Sequence, residues 1–228
     1  MSGGPELGAF WARSSAVAAG DGWLGPRERR VQAGLRFAKR RDDWRLGRFV
    51  AKRAVSAVLG YAADLPPDEI EILAASDGAP EVFVRGTAAL AISLSHSGGI
   101  GFCVVGPAGT APGCDVERIG PRDRALVRDH FTAAEAEWLS RFGAEDRDRW
   151  VTILWSAKES ALKALRLGLR RDTRSVEVVR LERSLGGAWG HVAVECRESG
   201  RTFGGGWAVL EGHVLTVAGA ARAPRQVA

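Results

Sequence analysis

The stretch "LWSAKESALKAL", Leu154 to Leu165, decides how the second half of this chain is read. At about 100° per residue, Val151, Leu154, Trp155, Leu162 and Leu165 form one apolar arc, the pattern of an amphipathic helix packed on a core. Lys158 falls in the middle of that arc, and Glu159 and Lys163 sit one turn apart along its edge. Glu159 and Lys163 alone would make an ordinary i,i+4 pair worth about 0.3 kcal/mol. Lys158 fits that picture badly, because an ammonium at the centre of an apolar arc reaches water only if the arc faces a cleft. The pattern predicts a helix whose Val151, Leu154, Leu162 and Leu165 side is core, with Lys158, Glu159 and Lys163 lining the mouth of a cleft.

Working outward, the helical reading runs over Trp150–Leu169 and is preceded by "PRDRALVRDHFTAAEAEWLSRF", where Thr132 with Glu135 fits a capping box. Strands are expected afterwards at Val176–Leu181, Trp189–Glu195, Thr202–Leu210 and His213–Ala218. The first half has the same order. Two helices come first, the second from about Asp42 to Leu59 and stopped by Gly60, followed by strands at Ile70–Ala74, Glu81–Arg85, Ala89–Ser95 and Gly101–Val105. "GPAGTAPG" is the turn between the halves, and "GCDVERI" opens the second. Helices then strands, twice, predict an α+β protein of two related subdomains, 1–108 and 109–228.

At 228 residues, 46% hydrophobic and 26% charged, the chain has the composition of a soluble globular protein. Its opening residues lack a basic segment followed by an apolar run, and no run of eighteen apolar residues occurs, so neither a secretory signal nor a membrane span is expected. Cytoplasmic location is the expectation. Cys103, Cys114 and Cys196 have no CxxC spacing and read as reduced core residues. Between Arg27 and Arg53, eleven Lys/Arg face three Asp/Glu, a local charge of +8 against +5 for the whole chain, so the remainder carries about −3. Such a patch suits a polyanion, whether nucleic acid, a phosphorylated cofactor or an acidic protein, and it equally suits a solvated helix face. No recognition motif or aromatic-rich basic stripe accompanies it, so nucleic acid is not an expected partner.

Three short motifs carry chemistry. In "CDVER" a strand period of two puts Asp115 and Glu117 on one face, roughly 7 Å apart, a spacing that suits two oxygen ligands of a hard cation and also an ordinary salt bridge. "SLSHSGG", Ser93–Gly99, sets His96 and three hydroxyls at a strand end beside a Gly-Gly turn, a pattern suited to phosphate or to a structural histidine. The third is "WSAKESALK" of the opening helix.

In this order, "SLSHSGG", "GCDVER" and "WSAKESALK" resemble the motifs of the surfactin-type 4'-phosphopantetheinyl transferases. The basic helix ending in "RLGRFVAKRAV", the "DGAP" turn and "FTAAEAEWL" add to the likeness, leaving only the tails unmatched. The resemblance implies two similar subdomains in a pseudo-twofold relation, each a small, mainly antiparallel sheet packed with helices. It implies transfer of phosphopantetheine from coenzyme A, as co-substrate, to a serine of an apo acyl or peptidyl carrier protein, with release of 3',5'-ADP. Asp115, Glu117 and Glu159 would hold Mg²⁺, and Glu159 or Glu117 would take the serine proton. Lys158 and Lys163 would stabilise charge on the diphosphate, and His96, with Ser95, would bind a phosphate. Arg40, Arg41, Arg48 and Lys52 are the candidates for the 3'-phosphate. Where the family often has a basic residue before the SHS strand, this chain has Ala79, so that contact is absent or made by backbone at Gly78 and Pro80. A monomer is expected, acting on carriers of natural-product or fatty-acid synthesis. The alternative is a Mg²⁺-dependent hydrolase of nucleotide diphosphates or an inactive coenzyme A-binding homologue.

Overall fold

A computed structural model describes residues 7–60, 65–166, 171–183, 189–219, 221 and 224–227. These residues divide into two units, drawn from Met1–Pro112 with Ala221–Ala228 and from Gly113–Ala220. Each is a mainly antiparallel sheet with one long helix across a face, an α+β architecture. No helix among the described residues is long and apolar enough to cross a membrane.

In the first unit the strands are β1 (Gly8–Arg13), β2 (Ile70–Ala74), β3 (Pro80–Val84), β4 (Thr87–Ser97), β5 (Ile100–Pro107) and β11 (Arg225–Gln226). They pair in the order β11-β1-β5-β4-β3-β2. Two helices precede β2, α1 (Pro26–Ala33) and α2 (Ala38–Leu59), the second ending on Gly60 at φ 73°, as a helix stop requires. Phe49, Val50, Val55, Phe10, Ile72 and Cys103 meet in the core between α2 and the sheet. The sequence reading missed β1, which is buried over Ala9–Ala12 between two partner strands. That omission explains a second correction. Arg225, Gln226 and Val227 do not belong to the second subdomain, because Arg225 and Gln226 run parallel to Phe10 and Trp11 and the Val227 amide donates to the Trp11 carbonyl at 2.9 Å. Helix α2 also begins four residues before the expected Asp42, with Asp43 accepting from Lys39 one turn back.

In the second unit β6 (Gly113–Arg118), β7 (Val176–Glu182), β8 (Gly190–Cys196), β9 (Thr202–Leu210) and β10 (His213–Ala218) pair as β6-β10-β9-β8-β7. The expected long helical run is α3 (Arg124–His130), α4 (Ala133–Leu139) and α5 (Ala144–Ala164). Thr132 and Glu135 form the capping box of α4: Thr132 N donates to Glu135 Oε2 at 2.9 Å and Glu135 N to Thr132 Oγ1 at 3.3 Å. Helix α5 starts six residues earlier than expected, and residues 167–169 of the expected helix lie outside the described residues. Val151, Leu154 and Leu162 are buried in the core with Trp150, Trp207 and Val214. Cys103, Cys114 and Cys196 are buried, with no disulfide among the described residues.

Candidate functional site

Strand β6 and helix α5 lie in direct backbone contact, and one residue permits it. A Cβ on Gly113 would stand 1.9 Å from the Ser160 carbonyl oxygen, inside any van der Waals limit. Next along β10, Thr216 sits opposite Asp115. Its hydroxyl donates to the Ser156 carbonyl at 2.8 Å and meets the Ser160 hydroxyl at 2.6 Å and that of Ser156 at 2.8 Å, so three small polar residues fasten α5 to the sheet. This fastening fixes where Glu159 and Lys163 point.

Asp115 is 4% exposed, and Lys163 Nζ donates to its Oδ1 at 2.8 Å and to the Cys114 carbonyl at 3.0 Å. Burial opposes the Lys163 charge, but Asp115 and the nearby Glu159 outweigh it and hold the ammonium above the usual lysine value. Glu159 is 7% exposed, and its Oε1 accepts no hydrogen bond among the described residues. Burial, then repulsion from Asp115 and from Glu117, push its carboxyl up to about 7 even though Lys163 pulls the other way. Glu117, half-buried at the end of β6, is held elsewhere: Arg122 Nη2 donates to its Oε2 at 3.1 Å. Among the described residues no group of three or more His, Cys, Asp or Glu is arranged to hold a metal ion. Glu159 feels the charge of both Asp115 and Glu117, yet the three do not converge on one point.

Lys158 corrects the sequence reading. Its side chain is 0% exposed, its Nζ lies 2.5 Å from Glu135 Oε2, and it sits 5.2 Å from the centre of the Phe131 ring. Burial lowers its pKa, and Glu135 opposes that shift. It lies inside the core with its own counter-ion, not at the mouth of a cleft, and it is withdrawn as a diphosphate contact. Trp155, beside it, packs edge-on against His130 at 5.3 Å.

The candidates of the first unit separate in the same way. Lys52 is 2% exposed and all three of its N–H groups are used, on Glu28 Oε2 at 2.5 Å, the Trp23 carbonyl at 2.9 Å and the Pro67 carbonyl at 2.8 Å. It is a core ion pair and is withdrawn as a cofactor contact. Arg48, one turn earlier, donates through Nε to the Ile72 carbonyl at 3.2 Å and stacks 4.5 Å from the Trp44 ring. Burial lowers its pKa to about 10, only partly offset by Glu28, and no carboxylate of the described residues pairs with it. Arg40 is exposed. Arg41 lines a cavity of about 530 Å³ with Arg29, Arg45, Gln32, Asp21 and Asp42. His96 is exposed near the end of β4, in register with Gly101, and Ser95 is half-buried beside it. Gly78, at φ 89°, makes the turn before Pro80, with its amide donating to the Ala75 carbonyl at 2.9 Å.

Two residues escaped the sequence reading. Glu135 was recognised only as a local cap, although the solitary Lys158 in an apolar arc called for a buried acid. Nothing in "GPRDRA" marks Arg122.

The family model of the 4'-phosphopantetheinyl transferase superfamily matches residues 111–200. Over 106 residues, 46% of this chain, the sequence is 35% identical to the 4'-phosphopantetheinyl transferase psf-1 of Bacillus pumilus, covering 43% of that protein. Over 68 residues, 25% of this chain, it is 37% identical to the holo-[acyl-carrier-protein] synthase of Frankia alni, covering 58% of it. The chain thus spans about half the length of these curated relatives. Among solved structures, the holo-(acyl-carrier-protein) synthase of Bacillus anthracis in complex with CoA (3',5'-ADP) is 23% identical over 46% of this chain and 96% of its own, with a TM-score of 0.40. That of Thermotoga maritima is 22% identical over 56% and 74%, with a TM-score of 0.39. Asp115, Glu117, Glu159 and Lys163 all fall inside residues 111–200, the stretch that is similar to the 4'-phosphopantetheinyl transferase superfamily.

Proposed function

We propose that this chain moves the 4'-phosphopantetheine group of coenzyme A onto a serine of an apo carrier protein, in a Mg²⁺-dependent reaction that releases 3',5'-ADP. The observation that carries this reading is Glu159: a buried carboxylate with one oxygen lacking a partner among the described residues, beside Asp115 and Lys163, in the stretch that matches the superfamily. A buried acceptor left without a donor asks for a ligand. The carboxylate oxygens of Asp115 and Glu159, joined by Glu117 on leaving Arg122, fit a hard divalent cation. Bound there, Mg²⁺ would neutralise charge on the diphosphate of coenzyme A.

The residues supply the rest. Glu159 accepts the serine proton as the serine oxygen bonds to the phosphorus on the pantetheine side, and Glu117 is the other candidate base. The bond from that phosphorus to the bridging oxygen breaks, and 3',5'-ADP leaves. Two N–H groups of Lys163 are engaged within the protein, and its third is directed to the diphosphate. Arg48, Arg40, Arg41, His96 and Ser95, with backbone at Gly78 and Pro80, are the coenzyme A contacts of the first unit. Arg48 leads them, being a half-buried cation without a carboxylate partner among the described residues. The carriers are acidic domains of natural-product or fatty-acid synthases, complementary to a basic protein. One chain carries both sets of motifs, so it acts as a monomer, in the cytoplasm.

The test is incubation with coenzyme A, Mg²⁺ and apo acyl and peptidyl carrier proteins, followed by intact-mass analysis. The carrier gains the mass of phosphopantetheine, and Asp115→Ala and Glu159→Ala abolish the gain. Release of 3',5'-ADP without any carrier, or full labelling by either variant, overturns the reading.

A further inference from the structure

Arg122 stands in the loop between β6 and α3 and is fastened to both sides of the carboxylate site. Its backbone amide donates to Asp148 Oδ1 at 3.1 Å and its Nε to Thr152 Oγ1 at 3.4 Å, both on α5. Its Nη2 donates to the Arg118 carbonyl at 3.0 Å and to Glu117 Oε2 at 3.1 Å, at the end of β6. The guanidinium is therefore held from both sides, and the Glu117 carboxylate accepts from it. Fork geometry and a charge that is never lost near neutral pH make arginine suited to such a post.

We infer that Arg122 is a positioning residue that holds Glu117 away from the cation bound by Asp115 and Glu159, so that the cation must draw Glu117 off Arg122 to gain its third carboxylate. The inference rests on the proposed metal site and goes beyond it. Three observations meet here. Glu117 contributes to the raised pKa of Glu159 and so is electrostatically part of the cluster. The cluster nonetheless does not close around a metal position. The side chains of the Arg122–Glu117 pair are 22% and 26% exposed, so water screens the pair and it is weak enough to exchange. Arg122 acts as a latch rather than a lock, setting how tightly the cation is held.

The experiment titrates the full chain with Mn²⁺ alone, an oxygen-seeking probe whose free form is counted by electron paramagnetic resonance. Arg122→Gln binds Mn²⁺ about three- to fivefold more tightly than the wild type, the factor expected of a screened ion pair. Arg122→Lys, which keeps the charge, stays within about twofold. Adding Glu117→Gln to Arg122→Gln removes the gain. Structural damage would weaken binding, so tightening is a readout that a merely structural role does not produce. Thr152→Val removes the tether to Arg122 Nε, along with the Thr152 hydroxyl's 2.7 Å bond to the Asp148 carbonyl, and shifts affinity in the same direction, which keeps the inference testable should Arg122→Gln fold poorly. Equal or weaker binding by Arg122→Gln, at an unchanged urea midpoint, overturns it. If Asp115→Asn and Glu159→Gln also leave Mn²⁺ binding unchanged, it is the cation site that fails.

Discussion

Lys158 Nζ and Glu135 Oε2 lie 2.5 Å apart inside the second unit, with the two side chains 0% and 2% exposed. The same carboxylate accepts from the Thr132 amide at 2.9 Å and the Val178 amide at 2.8 Å, so one acid joins the start of α4, the middle of α5 and β7. Removing one member of a buried pair strands the other's charge, which costs about 3–5 kcal/mol. Lys158→Met is therefore expected to lower the unfolding free energy by about that amount, read from urea denaturation. Lys158→Met with Glu135→Gln recovers part of the loss, because no charge is then stranded. A double variant no better than the single would refute the electrostatic account.

The Glu159 carboxyl, pushed from 4.5 up to about 7 by burial and by Asp115, predicts an unusual pH profile for the metal-free protein. Between those values the folded state holds a proton that the unfolded state has lost, so stability is greatest below the unfolded pKa. It declines as pH rises towards the folded value, by roughly 2–3 kcal/mol in all. Urea midpoints measured with a chelator at pH 5 and pH 8 should show the decline. Glu159→Gln should flatten it and be the more stable protein at pH 8. A wild-type midpoint that does not fall over this range would contradict the assignment.

The contrast between Lys158 and Glu159 shows what periodicity can carry. The apolar arc of α5 was legible, and its Val151, Leu154 and Leu162 are core, because a 3.6-residue period is a property of the helix alone. The partner of Lys158 was not, because Glu135 lies 23 residues earlier and only the fold brings it near. Motif spacing likewise indicated Asp115, Glu117 and Glu159, but not that Arg122 holds one of them. Strand β1 was missed for a related reason. "GAFWAR" is short and buried between two neighbours, so it lacks the alternation that marks a half-exposed strand.

Gly113 is expected to tolerate no side chain. Gly113→Ala would set a methyl against the Ser160 carbonyl, and a backbone atom cannot swing aside as a flexible side chain does. Helix α5 must then move off β6, which breaks the Thr216 hydroxyl network and shifts Glu159 and Lys163 relative to Asp115. Overpacking of this kind costs about 1–3 kcal/mol. Carrier labelling should fall further than that stability loss accounts for, since the protein still folds at room temperature. Unchanged labelling by a folded Gly113→Ala protein would show that the spacing of β6 and α5 is not critical.

Arg48 and Lys52 stand one turn apart on α2 and look interchangeable in the sequence, yet they should respond oppositely to substitution. Lys52 spends its whole charge inside the first unit, on Glu28 and two carbonyls. Lys52→Met strands the fully buried Glu28, and its expected effect is a loss of about 3–5 kcal/mol in stability. Arg48 donates to the Ile72 carbonyl and stacks on Trp44. Burial penalises its charge, so Arg48→Met should leave the urea midpoint near that of the wild type, as a desolvated cation is removed along with one hydrogen bond. Its effect should appear in coenzyme A binding, weakened about tenfold, as expected when a charge-assisted phosphate contact is lost. Calorimetric titration with coenzyme A, set beside denaturation of both variants, separates the two roles. If Arg48→Met binds coenzyme A as tightly as the wild type, Arg48 is no part of the cofactor site.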